Sequence, residues 1–171
     1  MKRKIISKVF LSSTNNWKKF KFKNIHIFYK GFIFGLNDNE IKKKIIENLI
    51  KRRNWNFLKK NYGNFSIVIK FTESFLLISD TARSFPLYYS VKNNKILISD
   101  FSKNIKKNFK NLELNNEIKK LSLMSGYTIS NYTIYKDIHT ICAGQYIEIK
   151  KKITKKYYID FFPKKIRTKN Y

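Results

Sequence analysis

Thiols, prolines, glycines and acids are all in short supply in this chain. One cysteine, Cys142, excludes an internal disulfide and any CxxC metal or redox motif, which fits a reducing cytoplasm. Two prolines and five glycines in 171 residues exclude collagen-like and proline-rich architectures. Only 11 Asp and Glu stand against 37 Lys and Arg, a net charge of +26. No apolar run is long enough for a membrane span or an export signal, because the opening MKRKIISKVF breaks at Ser7 and Lys8. No membrane partner is expected.

What remains is a chain able to fold. Apolar residues make up 43% and aromatics 16%, enough for a packed interior. The length is that of one domain, which we place at residues 1–162, with a flexible basic tail at 163–171. A field of this sign attracts polyanions. Yet the cations are 32 Lys and only 5 Arg, beside 25 Ile and 19 Asn, residue types that share A/T-rich codons. Much of the charge therefore reads as composition bias, since Arg is the better bidentate reader of phosphate and base edges. A nucleic-acid-binding module is kept as an alternative, with KKFKFK (18–23) and KKKITKK (150–156) as phosphate contacts and nearby Tyr or Phe for stacking.

The apolar period switches between 2 and 3.6, the mark of mixed strands and helices. Residues 3–10 read as a first strand, then a polar connection from Ser12 to Asn16. NIHIFYKGFIFG (24–35) reads as a strand pair or one strand bent at Gly31. From Asp38, Ile41, Ile45, Ile46, Leu49 and Ile50 share one helical face, with Asp38 or Asn39 as cap. Four strands follow at 64–71, 74–80, 86–91 and 95–100, whose short joins favour antiparallel neighbours. The last two form a hairpin around Asn93 and Asn94. A second helix is expected from Asn115 to Gly126, burying Ile118, Leu121 and Met124, and QYIEIK and ITKKYYI supply a final strand pair.

Several segments, in order, resemble the amino-terminal glutamine-hydrolysing domain of the asparagine synthetase family, the class II glutamine amidotransferases. They are FLKKNYGNFSIVIKF (57–71), ISDTARSFPLYY (78–89), KILISDFSKNI (95–105) and GYTISNYTIYKDIHTICAGQYIEI (126–149). The resemblance covers residues 30–160. It implies an α+β fold, a four-layer αββα sandwich of two antiparallel sheets of the N-terminal nucleophile hydrolase type.

The same resemblance locates what is missing. The family's nucleophile is an amino-terminal cysteine, whereas position 2 here is Lys2. Its oxyanion-holding Asn-Gly falls on Lys30 and Gly31, and the following Glu on Phe32. The Asp that grips the α-ammonium of glutamine falls on Asp38, which would equally serve as a helix cap. No arginine separates the first strand from KGFIFG, so the substrate carboxylate has no clamp. Gly63, Asp80, Pro86, Tyr88, Gly126 and Gly144 fall on positions that shape the family's turns and strands. Cys142, where the family has proline, reads as a small buried side chain. His26 and His139 have no second ligand nearby, so no catalytic residue, metal site or cofactor is expected.

The resemblance thus implies a glutaminase-inactive domain that supports a separately encoded ATP-pyrophosphatase, an asparagine-synthetase-like enzyme forming an amide or lactam. The aromatic tail, from Tyr157 and Tyr158 to Phe161 and Phe162, is its expected contact. A non-functional remnant of a truncated synthetase is a further alternative.

Overall fold

A computed structural model describes residues 6–128, 130–150 and 152–159. Within them ten strands form two sheets. The smaller sheet holds β1 (Ile6–Phe10), β6 (Tyr88–Lys92), β7 (Lys95–Ser99) and β8 (His139–Thr140), in the order β1-β7-β6-β8. The larger holds β2 (Lys18–Phe22), β3 (Ile25–Ile33), β4 (Gly63–Lys70), β5 (Phe75–Ser79), β9 (Gln145–Ile149) and β10 (Ile153–Tyr157), in the order β10-β9-β5-β4-β3-β2. Four short α-helices complete the described chain: α1 (Asp38–Lys44), α2 (Asn56–Lys60), α3 (Ser102–Lys106) and α4 (Asn116–Ser125). Beyond α1 the winding loosens to a π-helix at Ile45–Lys51.

The unbroken apolar runs of β4 and β5 exist because both of their faces are covered. On one face Val68, Phe75, Leu77, Ile147 and Ile149 meet Tyr89, Ile96 and Ile98 of the smaller sheet. On the other, Ile67, Ile69, Leu76 and Ile78 pack with Ile41, Ile45, Leu49, Phe57 and Leu58 from the helices after β3. Beyond the smaller sheet, Leu97 packs with Ile105 of α3 and with Ile138. Each such Leu or Ile contributes roughly 1.5–3 kcal/mol of apolar transfer. Trp55 adds a ring stacked on Tyr146 at 3.9 Å between centroids.

Several expectations need correction. The sheets are not purely antiparallel: β1 runs parallel to β7. The long connection between these two strands leaves their relative direction to packing, as no tight turn constrains it. The second and third of the four clustered strands are not neighbours either, for β5 lies in the larger sheet and β6 in the smaller. Of the two readings of 24–35, the single strand holds, as Ile25–Ile33 with Gly31 at positive φ, whereas KKFKF, not expected as a strand, is an edge strand whose alternate Phe20 and Phe22 pack against the core. Asn37, not Asp38 or Asn39, caps α1, accepting from the Asn39 and Glu40 amides while Glu40 accepts from the Asn37 amide. α3 and β8 were not expected, being too short to show a period.

Other expectations hold. Asn93 and Asn94 both have positive φ, 52° and 56°, as a two-residue hairpin loop requires. Helix α4 is capped by the Asn115 side chain and closed by Gly126 in the left-handed region. It buries Ile118 alone, however: Leu121 is exposed, as is Met124 at 85%. Among the described residues no other layer covers that face, so its periodicity finds no packing partner there. The tail at 163–171, with Phe161 and Phe162, lies outside the described residues, as does Lys2.

Candidate functional site

The larger sheet overhangs the smaller one at the end of β3. Residues of even number on that strand share a face. Phe28 packs in the core between the sheets, while Lys30 and Phe32, further along, line an open cleft of about 440 Å³. Thr14, Asn16, Lys18, Gly31 and Phe85 complete its walls.

Gly31 is fixed here by steric need. Its φ is +97°, and a Cβ would lie 1.9 Å from the Asn64 carbonyl oxygen and 2.6 Å from the Phe85 ring. No side chain fits such a position without moving backbone. Its carbonyl oxygen accepts a 2.6 Å hydrogen bond from the Tyr29 hydroxyl. Burial, reinforced by the negative charge of Asp38, pushes that phenol well above the usual tyrosine range, so it remains a donor.

The other walls bring cations. The Lys30 ammonium sits 4.6 Å from the centre of the Phe85 ring, a cation–π contact. Lys18, on β2, reaches Asp38 at the start of α1 with Nζ 2.5 Å from Oδ1. Lys18, which lines the cleft together with Gly31, thus engages the Asp38 carboxylate, while Asp38 itself is not among the residues that line the cleft.

The cleft's rim is set by residues that motif reading overlooked. Asp100, just past β7, accepts from the Ser12 amide and from Trp17 Nε1 at 3.0 Å, pinning the loop that carries Thr14 and Asn16. A lone acid after a strand carries no sequence period, so only the through-space distance reveals it.

A second knot lies beside the cleft. Asp80, 1% exposed, accepts from the amides of Phe65, Ala82 and Ser84, holding the turn that delivers Phe85. Its backbone carbonyl accepts from the Gly144 amide at 2.8 Å, and the Gly144 carbonyl accepts from Tyr158. Gly144 takes φ 63°. The Tyr158 hydroxyl donates to the Ser79 carbonyl, and burial raises its pKa, with Asp80 adding to the effect. Gly63 opens β4, where a Cβ would meet the Phe32 carbonyl oxygen at 2.3 Å. Asp80, Gly144 and Gly63 therefore hold backbone. Pro86 is exposed ahead of β6, Tyr88 packs in the outer cluster with Leu97, and Gly126 closes α4.

Cys142 is half-exposed rather than buried, its amide donating to Gln145 Oε1 before β9, and it does not line the cleft. His26 is exposed on β3. His139 is half-buried on β8, its Nδ1 buried without a hydrogen-bond partner among the described residues and its ring 5.5 Å from that of Tyr89. Burial lowers its pKa, helped by the charge of Lys155, and also lifts the Tyr89 phenol to about 12. Among the described residues no group of three His, Cys, Asp or Glu could hold a metal ion. None of the described helices is long and apolar enough to cross a membrane.

The phosphate-contact reading of residues 18–23 changes in detail. Phe20 and Phe22 lean on the core and carry the ammonium groups of Lys42 and Lys51 over their faces. Rings covered in this way are not free to stack on bases. Exposed rings lie elsewhere: Phe32, Phe34 and Tyr62 gather on the overhang, and Phe101, Tyr127, Tyr132 and Tyr157 are exposed on other segments. Comparison with known proteins returns no matching family model and no significant match among curated proteins.

Proposed function

We propose that the chain is a glutaminase-inactive amidotransferase-like domain, a four-layer sandwich of the N-terminal nucleophile hydrolase type. In this reading it docks on a separately encoded ATP-dependent synthetase, forming an amide or lactam, and supports that enzyme's fold. The packing is compatible with such a sandwich: two sheets meet across one core, and helical residues pack against the outer side of each.

The observation that carries the reading is the occupancy of the cleft by the chain's own groups. A glutamine bound there would present its α-ammonium to Asp38, yet that carboxylate is neutralised by Lys18 at 2.5 Å. The Lys30 ammonium, resting on Phe85, would face the same substrate cation with like charge. What survives is Gly31, held by packing that needs no substrate. The uncovered face of α4, with Leu123 78% exposed beside Leu121 and Met124, gives a docked partner an apolar anchor.

The test has two arms. Purified chain incubated with glutamine should release no glutamate above the uncatalysed rate. Purification from native cells should bring down a synthetase that lacks its own amino-terminal domain, and Leu123→Asp should abolish that association. Glutamine turnover by the chain would overturn the reading, as would a synthetase whose recovery is indifferent to α4.

A further inference from the structure

Phe32, Phe34 and Tyr62 stand together on the overhanging face of the larger sheet. Gly63 pairs with Ile33 and Asn64 with Phe32, so Tyr62 stands directly opposite Phe34, whose amide donates to the Tyr62 carbonyl at 2.9 Å. Directly opposed residues point to the same face. The Phe32 and Phe34 rings meet edge to face at 5.1 Å. Phe34 is nevertheless 68% exposed and Tyr62 66%, so this cluster is held by its own backbone register and covered by nothing in the described chain.

The charge around it has one sign in excess. Lys30 lies on the same strand face as Phe32, and the exposed Lys59 and Lys60 lead into Tyr62. No acid lines the cleft, and Asp38, which Lys18 reaches from it, is neutralised by that lysine. Three wet aromatic faces beside ammonium groups that pair with no acid among the described residues match a ligand that alternates flat π-surfaces with anions. An acidic protein offers the anions without the regular flat faces. Duplex nucleic acid hides its base faces.

We propose that this overhang binds single-stranded nucleic acid, with bases stacking on Phe34 and Tyr62 and phosphates near Lys30 and Lys60. The test uses the full chain and a dye-labelled oligo-dT of about 15 nucleotides, within the range that single-strand modules occupy. Fluorescence anisotropy is read across a salt series. Phe34→Ala and Tyr62→Ala should each weaken binding by roughly 5- to 100-fold at fixed salt, the scale of one lost base stack. Lys30→Gln and Lys60→Gln should each reduce the slope of log affinity against log salt by about 0.7. Circular dichroism and melting of all four variants should match the parent, because the altered side chains are not in the core. Val91→Ala, an exposed apolar change on β6, should leave binding unchanged.

Ring variants that bind as the parent does would reduce the effect to bare charge and overturn the proposal. Polyglutamate competing as well as oligo-dT, with the same dependence on the rings, would assign the face to an acidic protein and overturn it equally.

Discussion

The hairpin of β4 and β5 and the helix α4 both read as apolar segments, yet the fold uses them in opposite ways. Every residue of β5 is buried, and β4 is buried from Phe65 to Ile69, each with one side toward the helices and one toward the second sheet. Helix α4 buries Ile118 and offers Leu121, Leu123 and Met124 to solvent. Apolar character alone does not distinguish core from contact surface; the number of layers stacked on a segment does. Of the residues that hold the stacked half together, Gly31 lines the cleft and Gly63, Asp80 and Gly144 fix the backbone of the strands and turns beside it. The unstacked half is where substitution should be cheap for folding and costly only for a partner.

The sharpest break in this contrast is Gly31→Ala. Left-handed strain and overlap with the Asn64 carbonyl and the Phe85 ring together should cost about 3–6 kcal/mol, a large part of a typical domain's stability. Urea denaturation measures it, and a loss below about 1 kcal/mol would mean that β3 and β4 separate easily. Asp80→Ala comes next. It strips the amides of Phe65, Ala82 and Ser84 of their acceptor and should cost about 3 kcal/mol. The same melt should release the turn carrying Phe85, seen as faster amide exchange at Ala82 and Ser84.

His139 gives a smaller, pH-dependent effect. Its folded pKa lies below the unfolded value, so the unfolded chain takes up the proton first. Stability is intact above about pH 6.5 and falls as the pH drops through that value toward the lower folded pKa. Melting temperatures between about pH 7 and pH 5 should decline less steeply in His139→Gln. An unchanged slope would place the acid sensitivity elsewhere. Smallest of all, Leu123→Ser and Met124→Ser should alter unfolding free energy by no more than about 0.5 kcal/mol. A loss of several times that would show α4 to be covered in solution and would dissolve the contrast between the two regions.

Much of the fold was legible in residue order. β4, β5, β6 and β7 fall where dense Ile, Leu, Val and Tyr runs lie between turn residues, and the Asn93–Asn94 loop follows from the tolerance of Asn for positive φ. The limits of α4 were equally readable from Asn115 and Gly126. The candidate site was half legible. Gly31 and Asp38 were singled out, but the Lys18–Asp38 pair, and the Asp100 clamp on Ser12 and Trp17, join residues 20 to 88 positions apart. No local pattern encodes such a pairing.

Local chemistry by itself determined which segments become strands or helices and where the chain turns, because those choices depend on side-chain period and on φ preferences within a few residues. Only the tertiary structure decided that β1 runs parallel to β7, that β5 and β6 part into different sheets, and that Phe34, Tyr62 and Leu123 stay wet while Leu77 does not. Those outcomes depend on which layer lies above which, a relation between distant segments settled by the free energy of packing whole surfaces together.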